Sequence, residues 1–520
     1  MFTYQLSLAK YKLRTYELEL AYREIKGLFP HAQITLADLN SLEFKSEFLL
    51  DVDKLKRLTF FSNIKYQNGH VAPIELIPHQ VRLEKLTDST QMALFDVETP
   101  STSRQIRYLT HALHEYKGRF YPQLAKSLLN YAGVEAGATL LDPFCGSGTS
   151  LVESYLTGVN AVGIDINPVA YLIAQAKIQS LTLDKVTLDN LDQRYKDLVY
   201  QPDAMTVVSE ELDWDYIKAW FPEGNLKQVL FLLNQFEQEN NEAVKLLLQV
   251  ILSNLLRNFS YQDSTQLRIK RRTTEPPTNL FAEFQRNLKN HIIILQNFIS
   301  FNYQPKAQVR HYLGDSKNLM QVTGLMPNSI DVVITSPPYA TALPYIDTDR
   351  LSLFVFGYVK NRNAFRALEK TVIGNREITL KDKNELEQTM LATLTTDLLP
   401  LEVSNLIQII YDKNKNSDVG FRRKNLAVLL FKYFADMKVV LEQTFIALKH
   451  GSMVFMVVGN NQTQAGGDLV KIPTDDFIGL IAQQVGFKLE QKFELQVQKG
   501  YMIHAKNAIN SESILILRKV

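Results

Sequence analysis

Along the chain, short apolar runs bounded by turn residues alternate with stretches of helix-like period, and this spacing divides the sequence into five stretches. Residues 1–100 mix a strand-like "FTYQLSLAK" with a helix-like "YELELAYREIKGLF" and further short strands, which predicts a small α+β accessory domain. Residues 86–104 are polar, contain a proline and read as a linker. Residues 105–180 alternate helix, strand, helix, strand, and residues 181–305 read as mostly helix, with runs such as "AVKLLLQVILSNLLRNFS". Residues 306–520 return to strand–helix alternation, interrupted by a polar, lysine-rich insert at about 360–425. No repeat of solenoid period is present. The prediction is an α/β fold with a doubly wound sheet, split by a mostly helical insert and preceded by the accessory domain.

Two segments carry most of the chemistry. The first is "ATLLDPFCGSGTSLVESYLTGVNAVGIDINPVA". Ala138–Leu141 is a strand, Asp142–Thr149 a glycine-containing turn, "SLVESYLTG" a helix closing at Gly158, and "NAVGIDI" a second strand ending at Asp165. Glycines allow close backbone approach, the helix start offers free N–H groups, and an acid at the second strand's end suits a ribose diol. The third glycine of a dinucleotide fingerprint is missing, so a nucleoside cofactor without a pyrophosphate fits better. The second segment is "VVITSPPYATALPY", residues 332–345, in which an apolar strand runs into Ser-Pro-Pro-Tyr. Both prolines fix φ and lack an N–H, so the turn is rigid and its carbonyls lack local donors. It would suit a ligand with N–H groups and a flat face.

Together these segments resemble the amino-group DNA methyltransferases that use S-adenosylmethionine. "DPFCGSGTSLVESYLTGVNAVGIDINP" resembles their cofactor loop, "TSPPY" their catalytic motif, "HEYKGRFYPQLAKSLL" (residues 114–129) the segment closing over the methionine end, and "YLGDSKNLM" (312–320) the loop reaching the adenine. The resemblance covers 105–180 and 306–359 well and 425–520 weakly. It implies a Rossmann-like methyltransferase sheet. Cofactor contacts are implied for Phe120, Tyr121, Asp142, Phe144, Gly146, Gly148, Thr149, Asp165, Asp315 and Ser316, with Lys117 and Arg119 beside the carboxylate. Ser336, Pro337, Pro338 and Tyr339 become the catalytic motif.

The chemistry agrees with that assignment. An exocyclic amine is a poor nucleophile because its lone pair is delocalised into the ring. Acceptors at Ser336 and Pro337 would draw on its N–H bonds, and Tyr339 would stack on a base flipped out of the duplex. Serine at the head of the motif points, by resemblance, to cytosine N4. Adenine N6 is the nearest alternative. A tRNA guanine-N2 methyltransferase follows, because residues 1–80 faintly resemble that family. A non-catalytic nucleic-acid-binding module is the third. Ring-carbon methylation needs a cysteine nucleophile, and Cys145, the only thiol, sits inside the cofactor loop.

Composition adds limits. The chain has 520 residues, 46% hydrophobic and 22% charged, and a net charge of +2, so contact with nucleic acid must come from local patches. In the helical insert, the expected target-recognition region, "STQLRIKRRTTEPP" carries Arg268, Lys270, Arg271 and Arg272, expected phosphate contacts. Lys360, Arg362, Arg366 and Arg376 form a second candidate DNA-contacting loop, and Asp347 and Arg350 are expected to pair near the target pocket. No metal site is expected, and a reducing cytoplasm without membrane attachment is the simplest setting. Double-stranded DNA is the expected partner, with a cognate restriction enzyme possible.

Overall fold

The computed structural model describes residues 2–38, 41–67, 74–85, 107–116, 118, 120–201, 212–266, 269–340, 346–376, 378–415, 417, 419–495 and 512–520. The expected linker at 86–104 lies outside them. Near the N-terminus, β1 (Phe2–Leu8), β2 (Gln33–Asp38), β3 (Ser41–Ser46), β4 (Phe61–Gln67) and β5 (Ile74–Leu76) form an antiparallel sheet of order β2-β3-β1-β4-β5. The helix Thr15–Leu28 packs from it onto the helix Pro122–Tyr131. The approach is so close that a Cβ at Gly27 would lie 2.3 Å from the Asn130 and Tyr131 carbonyl oxygens. Buried Glu24 accepts from Asn130 Nδ2 at 2.9 Å across the same junction and from Thr59 N at 3.0 Å within the N-terminal region.

The main sheet contains β6 (Thr139–Asp142), β7 (Asn160–Asp165), β8 (Val309–Leu313), β9 (Ile330–Thr335), β10 (Leu448–Gly459), β13 (Phe487–Leu495) and β14 (Glu512–Lys519). Between β10 and β13 comes a separate hairpin of β11 (Asn461–Ala465) and β12 (Asp468–Ile472). The sheet order is β13-β14-β10-β9-β6-β7-β8, with β8 to β10 in parallel register and β14 antiparallel between β10 and β13. This is the expected doubly wound, Rossmann-like α/β sheet. Strands covered on both faces need near-continuous apolar runs, and "IDVVIT" of β9 supplies one. Chain order reverses between β6 and β9, so a crevice opens beyond their carboxyl ends, where ligands bind in open α/β sheets.

Local sequence sets the helices around that crevice. Gly148, at φ 75°, starts the helix Thr149–Leu156 in a conformation that favours glycine. Asn167 caps the helix Pro168–Ser180, accepting from Val169 N at 3.0 Å, with proline in the first turn. Helices then run at Lys185–Asp197, Trp214–Trp220, Glu223–Glu237, Glu242–Leu256 and Leu280–Ser300, and Glu242–Leu256 packs on Pro168–Ser180. The stretch after β9 differs from the expected loop. It forms the helices Arg362–Thr371, Leu380–Thr393 and Leu401–Lys415. Asn361 caps the first through Asn363 N and Ala364 N, Phe365 anchors it in the core, and Lys383–Glu387 is an i,i+4 pair on the second. A polar composition concealed these narrow apolar faces.

The ends of β6 and β9 are joined by one carboxylate. Asp142, 1% exposed, accepts from Thr335 Oγ1 at 2.6 Å, from Phe144 N at 3.0 Å and from the Ser150 hydroxyl. Hydrogen bonds to a charged group contribute about 1.5–3 kcal/mol. Thr335→Val keeps the shape and removes one donor, so urea denaturation should show a loss in that range, while Thr335→Ser should retain most of the stability.

Candidate active site

Beyond the carboxyl ends of β6, β7 and β9 lies a cavity of about 760 Å³, including its open mouth. It brings together Phe144 and Gly146 of the first turn, Asp165 at the end of β7, Asp315 and Ser316 after β8, and Ser336 to Tyr339 after β9. Asp165 accepts from Gly146 N at 2.9 Å and, through its other oxygen, from Asn167 N at 2.9 Å. These bonds aim the carboxylate along the cavity wall. Burial pushes it up to about 6, against the pull of those backbone donors. Asp315 caps Lys317 N at 3.0 Å, and Ser316 donates to Pro143 O, which ties the loop after β8 to the turn after β6.

At the other end, the Ser336 hydroxyl donates to Val457 O at 3.1 Å. A hydroxyl has one hydrogen, so with that bond made Ser336 offers only lone pairs to a ligand. The Tyr339 hydroxyl donates to Glu512 Oε1 at 2.8 Å, and burial raises the Glu512 carboxyl despite that bond. The Tyr339 ring packs directly against Gly459, where an added Cβ would come within 2.7 Å of Cε2. Only glycine leaves room for the ring in this place.

Several expected residues sit elsewhere. Tyr121 turns to the N-terminal domain, its hydroxyl 2.6 Å from Tyr16 Oη and 3.2 Å from Glu17 Oε1, and Phe120 packs against the core. Neither lines the cavity. Tyr116 and Gly118 of the same stretch do, and Lys117 and Arg119 lie outside the described residues. Asp142, Gly148 and Thr149 support the turn from beneath. A Cβ on Gly148 would strike Ala174 Cβ at 2.9 Å, so its close approach is to the helix Pro168–Ser180. Cys145 is buried, and burial holds its thiol well above the usual range, so no thiolate nucleophile arises there.

Ile346, in the "YIDTDRLSLF" stretch expected beside the target pocket, lines the cavity. Other wall residues were not anticipated, and Thr371 to Ile373 close the cavity from the helical stretch after β9. Asn167 lines it too, and its Nδ2 donates to Asp349 Oδ2 at 2.7 Å. Burial pushes Asp349 up to about 7. The Asn-Pro after Asp165 was a readable capping signal for Asn167. Nothing local pointed to residues 371–373. Asp347 and Arg350 do pair.

The basic loop of the insert is folded back on itself. Gln262 bridges Arg271, Arg272 Nη2 donates to Gln262 O at 3.1 Å, and the Arg271 guanidinium lies 4.6 Å from the Tyr261 ring centre. Lys270 is exposed, and Arg268 lies outside the described residues. Arg272 is therefore occupied by its own backbone, and Arg271 is held on an aromatic face.

The cavity fits the cofactor that the motifs imply. A carboxylate stands where a ribose diol would bind, Phe144 and Ile166 offer apolar walls, and Gly146 leaves a cradle that a Cβ would narrow to 3.2 Å from Tyr116. Among the described residues no group of acidic, histidine or cysteine side chains could hold a metal, and no helix is long and apolar enough to cross a membrane. Comparison with known proteins agrees. The UPF0020 family, described as an RMKL-like methyltransferase domain, matches residues 111–219. The chain is 25% identical over 420 residues to the Type II methyltransferase M.BsoBI of Geobacillus stearothermophilus, covering 75% of this chain and 81% of that protein. It is 24% identical over 418 residues to the Type II methyltransferase M.MvaI of Kocuria varians, covering 76% and 84%. A tRNA (guanine(10)-N2)-dimethyltransferase of Methanothermobacter thermautotrophicus is 50% identical over 52 residues, covering 10% of this chain and 16% of that protein.

Asp165 yields a pH test. Its carboxyl is raised, so the free protein takes up a proton there as pH falls through about 6, and a protonated acid is a poorer acceptor for a diol. Calorimetric affinity for S-adenosylmethionine should weaken as pH drops from 8 to 5. Asp165→Ala should weaken it roughly tenfold or more at neutral pH, since a charge-assisted bond contributes about 1.5–3 kcal/mol, and should flatten this dependence. Unchanged affinity in the folded variant removes Asp165 from the site.

Proposed function

We propose that this chain, a member of the S-adenosylmethionine-dependent amino-methyltransferases, methylates DNA at an exocyclic amine of a flipped base, cytosine N4. The observation that carries the reading is the sharing of one cavity by Asp165 and the Ser336–Tyr339 turn. The Type II relatives, which match over most of their length, support DNA as the substrate. Cytosine N4 rests on serine at the head of the motif.

The proposed roles follow from the groups in place. Asp165 binds the ribose, Asp315 takes the adenine amine, and Phe144 and Ile166 pack on the base of the cofactor, which supplies the methyl group when bound. Ser336 Oγ and the Pro337 carbonyl accept the two hydrogens of the target amine. That polarisation concentrates the nitrogen lone pair out of the ring plane, toward the methyl donor. Tyr339 stacks on the flipped base and holds it in line. A cytoplasmic setting and a cognate restriction enzyme belong to the same reading.

The short match to a tRNA guanine-N2 enzyme, with the accessory domain expected at residues 1–100, favours a second reading in which folded RNA is the substrate. Nucleoside digestion and mass spectrometry separate the two. Treated duplex DNA should yield N4-methylcytosine. N6-methyladenine would keep the DNA reading and change the base, and N2-methylguanosine from treated tRNA would replace it. Tyr339→Ala should slow methyl transfer roughly tenfold or more and leave cofactor affinity within about twofold, because base stacking on an aromatic ring contributes about 1–3 kcal/mol. Gly459→Ala should reproduce that separation, since its methyl group displaces the ring. A parallel loss of both properties would make Tyr339 a structural residue.

A further inference from the structure

The strand that underlies Tyr339 does not end at the cavity. Past Gly459 it turns into the β11–β12 hairpin, and Asn461 Nδ2 donates to Ala340 O at 2.8 Å, pinning the base of the hairpin to the residue after Tyr339. The tip is held from the other side. Gly466 N donates to Asn414 Oδ1 at 3.2 Å, and Asn414 Nδ2 donates to Arg423 O at 2.9 Å. The hairpin is thus a braced beam running from the cavity mouth to the short helix Phe421–Lys424.

That helix reads Phe-Arg-Arg-Lys and none of its four residues is buried. Phe421 is 57% exposed, and Arg422, Arg423 and Lys424 are all exposed beside it. Arg423 reaches the hairpin at Gln464, 3.2 Å away. Two acids of the neighbouring segments have partners among the described residues. Asp468 pairs with Lys413, and Asp412 accepts from Gln408 at 2.9 Å. Lys471, on β12, is exposed and adds to the positive surface. On a chain with a net charge of only +2, this concentration of cations is a local field that selects for polyanions.

Distance fixes its use. From Asn461 to Gln464 is three strand steps, roughly 10 Å at about 3.3 Å each. Each strand of duplex DNA carries one phosphate per about 3.4 Å of helix axis, so a span of this size keeps the cluster within a few base-pair steps of a base held at Tyr339.

We propose that Arg422, Arg423 and Lys424, braced by the β11–β12 hairpin, form the surface that grips the phosphodiester backbone of duplex DNA beside the flipped base. The proposal rests on the DNA reading of the active site. It moves the main phosphate contact away from the insert loop, where Arg272 is committed to backbone carbonyls and Arg271 to aromatic rings.

The test is the salt dependence of duplex binding by the full chain, followed by fluorescence anisotropy. Each phosphate contact contributes about 0.9 to the slope of log affinity against log salt. The triple variant Arg422→Gln, Arg423→Gln, Lys424→Gln should flatten the slope by roughly two to three and raise the KM for DNA at least tenfold. S-adenosylmethionine affinity and kcat at saturating DNA should stay within about twofold. The matching variant Lys270→Gln, Arg271→Gln, Arg272→Gln should flatten the slope by about one or less. An unchanged slope in the first variant, with cofactor binding intact and the parent still methylating duplex DNA, overturns this proposal and leaves the proposed function standing. A parent chain that neither binds nor methylates duplex DNA overturns both. A flattened slope with tRNA and not with duplex DNA assigns the surface to RNA and overturns the proposal.

Discussion

The site hangs on one buried carboxylate. Asp142 stands where the sheet changes direction, and the two turns that line the cavity begin at its two sides. Burial opposes its charge and pushes it up to about 6, while three donors from three different elements hold it in place. Thr335 and Phe144 share one of its oxygens and Ser150 holds the other, so an asparagine would keep the first oxygen and lose the charged acceptor opposite Ser150. The relative height of the β6 and β9 ends is set here, and with it the separation between the cofactor wall and the Ser-Pro-Pro-Tyr turn.

The parts of the site legible in the sequence are those built from contiguous residues. The turn at 142–149, the acid at Asp165 and the rigid turn at 336–339 each occupy one short stretch whose residues dictate local backbone shape. The missed parts depend on packing between distant segments. Thr371 to Ile373 reach the cavity at the end of a helix anchored by Phe365, and no period within 362–376 announces that. Tyr121 illustrates the same limit in reverse. It and Tyr116 are both aromatic and five residues apart, and only the position of the N-terminal domain decides that Tyr121 turns outward to Tyr16. The cations at 271 and 272 look solvated by composition, yet their own loop carbonyls and rings use them.

The accessory domain is joined through polar groups taken out of water. Glu24 serves Asn130 and Thr59, the Arg57 guanidinium donates to Val134 O at 3.1 Å, and Gly27 removes the side chain that would hold the two helices apart. Such pairs are costly to separate, because each partner left behind is buried and unmatched. The two parts are therefore held together as one unit.

The late position of β14 in the chain has a consequence for synthesis. It inserts between β10 and β13, both of which precede it, and it brings Glu512 to the Tyr339 hydroxyl. On the ribosome, a chain that has emerged only through residue 495 exposes the edges of β10 and β13 with nothing between them. Open apolar edges invite pairing with other chains. In the interval before residues 512–519 appear, those edges stay open and the Tyr339 hydroxyl is without its Glu512 acceptor.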